Sequence, residues 1–288
     1  MIPFEYRTPG SLEEALKDLA EAGSDGKLIA GGTALVIMMK QQLLQPTCVV
    51  SLRNVAGLSD IAANNGSVRI GGLVTHSALD DSAVVQKGLP MLAETYHHVA
   101  TRRVRSMATV GGGLAHADPN QDPPPALIAL GATFEVSSTG GAKTVAADEF
   151  FTDYYETVLE PTEILTAINV PVLAANSGAA YLKFLPRSAD DYATVSAAAV
   201  VTLDAAKKKI EDVRIAMGSV NTTPVRATEA EKLLKGQPVS DEGLRAAGEK
   251  AKEATDPVSD FRGSGSYKTQ MAGVFVRRAL ERAIANVS

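Results

Sequence analysis

The 288-residue chain is 45% hydrophobic and 21% charged, with a formal net charge of -5, the balance of a globular protein that makes two modest domains or one large one. That charge argues against a nucleic-acid-binding face, because the densest basic group, Arg102, Arg103 and Arg105, is too small to track a phosphate backbone. The single cysteine, Cys48, excludes an intrachain disulfide, a cysteine-ligated zinc and an iron–sulfur cluster, so any such cluster belongs on another chain.

The first residues, Met1-Ile2-Pro3-Phe4-Glu5-Tyr6-Arg7, lack the apolar core of a signal peptide. No apolar run approaches the roughly 20 residues of a membrane span, and the expected location is cytoplasmic. Ser11-Leu12-Glu13-Glu14 reads as a capping box in which Glu14 reaches back to the Ser11 amide. Leu12, Ala15, Leu16 and Leu19 follow at helical spacing, with Gly23 as the stop. Residues 27–30 form a short buried strand that runs into Gly31-Gly32, so the start of the chain is strand–helix–strand. Apolar runs follow at 48–52 and 68–70, the second ending in Gly71-Gly72. The spacing then predicts helices at 90–99 and 126–130 and strands at 133–136 and 164–170. Residues 171–178 look like a boundary, dividing the chain into 1–175 and 176–288. Beyond it come strands at 180–185, 194–203 and 210–217, then helices at 227–234, 241–254 and 267–285, the order of a separate α+β domain.

Two glycine-rich loops carry the chemistry. In Ala30-Gly31-Gly32-Thr33-Ala34-Leu35 a strand ends in paired glycines, which opens consecutive backbone N–H groups to a phosphate oxygen. A helix starting near Thr33 would favour the same anion, although a lone Gly-Gly is more often a tight turn. The second loop runs from Ala108-Thr109-Val110-Gly111-Gly112-Gly113 through His116 and Asp118 to Asp122-Pro123-Pro124-Pro125. Its glycines permit close approach, Thr109 adds a donor, and the prolines stiffen the following turn. Asp122 stands where a carboxylate can accept from a ribose diol.

Neither loop matches a P-loop, and His116 occupies the place of the third glycine of a Rossmann fingerprint. His116, Asp118 and Asp122 as metal ligands form a nonspecific pattern. His97 and His98 are adjacent on a helix and point apart, while His76 reads as a helix-entry residue. No serine or cysteine is recognisably paired with a histidine and a carboxylate.

With both loops in view, the chain resembles the FAD-binding medium subunit of the molybdenum hydroxylases, the family of bacterial carbon monoxide dehydrogenase, quinoline oxidoreductase and xanthine dehydrogenase. The likeness begins at Pro3-Phe4-Glu5-Tyr6 and runs through both loops, Pro161-Thr162-Glu163-Ile164-Leu165 and Tyr181-Leu182-Lys183-Phe184. It continues through Asp191-Tyr192-Ala193-Thr194 to Tyr267-Lys268-Thr269-Gln270-Met271-Ala272-Gly273. The resemblance implies an α+β protein. Its FAD-binding domain would be of the vanillyl-alcohol-oxidase/p-cresol-methylhydroxylase type, in two subdomains. Its C-terminal domain would hold a three-stranded antiparallel sheet and a helical bundle.

By position, the same resemblance places Leu28, Ile29, Ala30, Gly31, Gly32, Thr33, Ala34 and Leu35, with Ala100, Ala108, Thr109, Gly111, Gly112 and Gly113, around the FAD, chiefly its pyrophosphate and ribityl chain. Asp122 would bind toward the ribose, and Ile164 and Leu165 would pack on adenine or ring surfaces. Lys183 and Asp190 would lie near the flavin's polar edge, and Tyr192 against the isoalloxazine, although the residue alone equally suits the core of the second domain. Thr33-Ala34 and Gly113 depart from the Gln-Ser or His-Ser and Asn of many relatives. No catalytic acid or base is required of this chain. The FAD would be non-covalent, with the molybdenum cofactor on a large partner subunit and two [2Fe–2S] clusters on a small one. A dimer of heterotrimers is expected, touching a respiratory-chain acceptor peripherally. The rival expectations are a self-contained flavin-dependent oxidoreductase and a flavin-less scaffold subunit.

Overall fold

The computed structural model describes residues 2–186, 188 and 192–287. Asp190, expected near the flavin's polar edge, and Asp191 of the Asp-Tyr-Ala-Thr motif lie outside these residues.

Three parallel strands open the chain, with Cys48–Ser51 between Glu5–Arg7 and Gly26–Ile29. The helix Leu12–Ala22 lays Ala15, Leu16 and Leu19 into a small core with Leu52, Val55 and Leu58. Its entry differs in one detail from the expected capping box. Ser11 Oγ accepts from the Glu14 amide at 3.1 Å, but Glu14 reaches one residue further back, to the Gly10 amide at 2.7 Å.

A five-stranded antiparallel sheet follows, in the order Ile61–Asn64, Ser67–Gly71, Ile164–Pro171, Thr133–Ser138 and Gly141–Ala146. Ile164–Pro171 is central, and its strongly apolar run reflects neighbours on both edges. Between the second and fourth of these strands in the chain lie the short helices His76–Asp80, Ala83–Gly88, Pro90–His97, Arg102–Arg105, Val110–His116 and Pro123–Leu130. The second glycine loop is therefore largely helical. Thr109 caps Val110–His116 by accepting from the Gly112 amide, and all three glycines fall inside that helix.

The C-terminal sheet has four antiparallel strands rather than the expected three: Ser177–Phe184, Val195–Leu203, Ile210–Gly218 and Val225–Arg226. The added edge strand pairs only with Ala216 and Met217, and two residues after Pro224 are too few for an alternating pattern to register. Helices Thr228–Leu234, Asp241–Ala251 and Gly265–Ala285 complete this half. The last packs Ala272, Val276, Ala279, Leu280 and Ala283 against the alanine- and valine-rich sheet.

One helix joins the halves. Every residue of Pro123–Leu130 is buried, as expected of a helix apolar on all sides and held between two layers. Its core contains Phe134 and Val136 of the five-stranded sheet together with Tyr181, Ala198 and Ala216 of the C-terminal sheet. That placement fixes Asp122, at the helix N-terminus, on the junction.

Candidate cofactor-binding site

The first glycine loop supplies a row of open donors. Residues 27–36 are all half-buried, and the chain leaves strand Gly26–Ile29 through Gly32, at φ 71°, to enter helix Leu35–Lys40. The helix begins by donating from Val36 to Gly32 O and from Met38 to Ala34 O. The amides of Gly31, Gly32, Thr33, Ala34 and Leu35 find no acceptor among the described residues. Unpaired N–H groups at a strand–helix junction favour an anion.

The second loop is pressed against the first. A Cβ on Gly31 would lie 2.0 Å from the Met107 carbonyl oxygen, and one on Gly112 would lie 3.5 Å from Ala30 Cβ and 2.7 Å from Thr109 Oγ1. The glycine stretch of the second loop has most of its donors already paired. Val110 donates to Val74 O, Gly111 to Gly72 O, Gly112 to Thr109 Oγ1 and Gly113 to Thr109 O, so that within residues 109–113 the Thr109 amide finds no acceptor among the described residues. Gly111 is needed for contact with a third glycine pair, since its Cβ would stand 2.8 Å from Gly72 O. Gly72 in turn backs onto the next strand, where a Cβ on it would stand 2.5 Å from Leu165 O. Gly71-Gly72, visible in the sequence as a strand-terminating pair, thus belongs to the scaffold of the site.

Asp122 turns inward. Its carboxylate accepts from Tyr181 at 2.6 Å and from Lys183 Nζ at 2.8 Å, and Lys183 also donates to His98 O at 3.1 Å. Both members of this ion pair are almost wholly buried. Desolvation outweighs the attraction of Lys183 and pushes the Asp122 carboxyl above its usual range. The network ties the second loop to strand Ser177–Phe184 and to the segment before Ala100, which adopts φ 43°. Ile164 and Leu165 are also turned inward, packed in the first and second cores, and they border the loops through their backbone.

Beyond Ala117, in the left-handed conformation at φ 53°, the nearly buried Asp118 accepts from Tyr155 OH at 3.2 Å and from the Asn120 amide at 2.9 Å. Tyr192 stands 43% exposed, its phenol pushed up by burial and by the neighbouring Asp118. The Arg262 guanidinium lies 5.7 Å from its ring centre. Tyr192 is therefore a surface residue of this cluster and not a core residue of the second domain. His116 lies against Tyr155, with centroids 5.1 Å apart. Among the described residues no group of acidic, histidine or cysteine side chains could hold a metal. His76 enters its helix as expected but is buried, edge-on to Tyr96 at 4.9 Å, with Nε2 3.3 Å from Thr109 O. Burial drives its pKa down from 6.5 to about 4, so the ring under the second loop is neutral.

Residues 2–173 match the family described as the FAD binding domain in molybdopterin dehydrogenase, and residues 180–283 match the CO dehydrogenase flavoprotein C-terminal domain. The carbon monoxide dehydrogenase medium chain of Afipia carboxidovorans is 39% identical over 287 residues, covering 99% of both chains. The chain belongs to the FAD-binding medium subunits of molybdenum hydroxylases. The nicotine 6-hydroxylase medium subunit of Paenarthrobacter nicotinovorans is 37% identical over 280 residues, 97% of each chain. In three dimensions the chain superimposes, with a TM-score of 0.96 and 39% identity over 100% of both chains, on the carbon monoxide dehydrogenase of Hydrogenophaga pseudoflava that lacks the Mo-pyranopterin moiety of its cofactor.

A medium subunit of this family binds FAD, and the residues here fit that group. A diphosphate needs several N–H donors within reach of small side chains, and positions 31–35 with Thr109 offer them beside glycines whose added Cβ atoms would close the gap. Because the donors are backbone groups, Thr33 and Ala34 in place of the commoner polar pair remove no amide. At Gly113 a Cβ would stand 3.3 Å from Gln121 Oε1 and 3.5 Å from His76 Nε2. Gln121 donates to Gly113 O at 2.8 Å. No helix among the described residues is long and apolar enough to cross a membrane.

Proposed function

We propose that this medium subunit is the electron-transfer flavoprotein of a heterotrimer. It would take electrons one at a time from iron–sulfur clusters on a small partner and pass them to an external acceptor, while substrate is oxidised at a molybdenum centre on a large partner. Bound FAD supplies the conversion between one- and two-electron chemistry. The chain's own residues bind and orient. The amides at 31–35 and Thr109 hold the diphosphate, with Leu28, Ile29, Ala30, Ala108 and Gly111 to Gly113 shaping the walls. Ala100, Ile164 and Leu165 border the pocket, Asp122 and Lys183 brace it from behind, and Tyr192 faces the ring. The architecture on this reading is of the vanillyl-alcohol-oxidase type, with a division near residue 175. What supports the reading above all is the row of unpaired amides at the first loop, packed on the second across a glycine contact that leaves no room for a side chain. The relatives' descriptions as medium chains or subunits support the partner assignment.

The test is recovery of the tagged chain from its native host. A yellow complex absorbing at about 450 nm, with two further polypeptides that carry molybdenum and iron, is the expected outcome. Addition of the oxidisable substrate should bleach the flavin only when all three polypeptides are present. A colourless chain recovered alone would refute the assignment.

A further inference from the structure

Resting on the FAD reading above, we propose that His76 is a positioning residue of the cofactor site, gripping the two peptides that flank Thr109 so that the open Thr109 amide is held in a fixed direction. The grip has a main-chain half and a side-chain half. The His76 amide donates to Ala108 O at 3.0 Å and the Val110 amide to Val74 O at 2.9 Å, which pairs Thr75 with Thr109 in an antiparallel bridge. A trans peptide sets its C=O and N–H on opposite sides. With Ala108 O drawn onto the His76 amide, the Thr109 N–H of the same peptide points the other way, and that N–H finds no acceptor among the described residues. The next peptide is held by the imidazole, whose Nε2 lies 3.3 Å from Thr109 O. The same oxygen accepts from the Gly113 amide at 2.9 Å, so the ring joins the first turn of helix Val110–His116.

As a packing residue the imidazole is poorly suited to this place. A carbonyl only accepts, so Nε2 carries the proton and Nδ1 is left as an acceptor. Nδ1 is buried and finds no donor among the described residues, and a buried polar atom without a partner costs stability. An apolar side chain of similar size would fill the space without that cost. The ring is nevertheless tightly seated. Tyr96 meets it edge-on at 4.9 Å, and on the loop side it lies against Gly113, where a Cβ would stand 3.5 Å from Nε2. Its own backbone is fixed by Thr75, which caps helix His76–Asp80 by accepting from the Ala78 amide at 3.1 Å. The imidazole is thus kept at the expense of one orphaned nitrogen, and the other nitrogen bonds the cofactor loop.

The test titrates the full chain, stripped of flavin, with FAD at neutral pH and melts the same apoproteins. His76→Phe and His76→Leu remove the donor and the orphaned nitrogen together, whereas His76→Gln returns an amide N–H to the place of Nε2. Both apolar variants should raise the FAD Kd about five- to tenfold, the worth of one hydrogen bond, while their apoproteins melt within about 3 °C of wild type. His76→Gln should bind FAD within about twofold of wild type. Affinity within about twofold of wild type in either apolar variant would overturn the role and leave the cofactor reading intact. So would a His76→Gln no better than His76→Phe, because ring shape and not the donor would then be what matters. Apolar variants that lose melting temperature along with affinity, with neither restored in His76→Gln, would make His76 a packing residue and overturn the proposal as well. Wild-type chain that takes up no FAD would sink the cofactor reading itself.

Discussion

Replacing Gly31 by alanine tests the loop contact to which the proposed function assigns cofactor binding. The new methyl would lie 2.0 Å from Met107 O, 2.8 Å from Met107 C and 3.0 Å from Ala108 Cα. All three atoms are backbone, so no rotamer change relieves the clash. Restoring a carbon–oxygen separation of about 3.3 Å requires the loops to part by roughly 1.3 Å. Hydrogen bonds weaken steeply over such a displacement. If two amide-to-phosphate bonds are lost at about 1.5 kcal/mol each, FAD affinity falls by about 3 kcal/mol, or roughly hundredfold. Overpacking adds a folding cost of about 1–3 kcal/mol. Titrating the apoprotein with FAD and melting both forms separates the two effects. Gly140→Ala is the control, because the nearest atom to its Cβ would be Ser138 Oγ at 3.7 Å. An alanine at 31 that binds FAD within about threefold of wild type would refute the assignment of this contact to the pocket.

Two further outcomes follow from the groups behind the loops. Lys183→Met should cost about 3–5 kcal/mol in chemical denaturation, because it leaves the Asp122 carboxylate buried without its cation. A loss below about 1 kcal/mol would mean the pair contributes no more than an exposed one. His76 should make the protein acid-sensitive. Its folded pKa of about 4 lies below the ordinary 6.5, so the unfolded chain takes up the proton first. The contribution is whole above about pH 6.5, falls as pH drops and reaches about 3 kcal/mol of lost stability by pH 4. His76→Phe should flatten that part of the stability curve measured between neutral and acid pH, and an unchanged slope would show that the ring is not neutral in the fold.

Much of the architecture was legible because it rests on local patterning. The helix after Ser11, the central strand through Ile168 and the last helix from Tyr267 all announce themselves by period and cap. The short pieces were not. Val225–Arg226 and Phe151–Asp153 are strands only because a partner lies alongside, and the helix through Gly111, Gly112 and Gly113 runs against the propensity of its residues. In the site, the open amides of the first loop could be inferred from the strand-ending glycines. The inward turn of Asp122 could not, because Tyr181 and Lys183 are about 60 residues distant in the chain. Tyr155 escapes notice for the same reason, and Asp118 reads in the sequence only as one of a nonspecific set of metal ligands.

The two loops thus divide the work that paired glycine motifs appear to share in sequence. At the first loop, glycine exposes donors. At the second, glycine removes side chains so that one backbone can lie on another, with Gly111 on Gly72 and Met107 on Gly31. The two carboxylates of the second loop bond to protein instead. Asp122 anchors Lys183 and Tyr181 of the C-terminal sheet, and Asp118 accepts from Tyr155. Because both carboxylates lie within residues 118–122, a displacement of this segment bears on the C-terminal sheet and on Tyr155 together. The site and the junction between the halves are mechanically one structure.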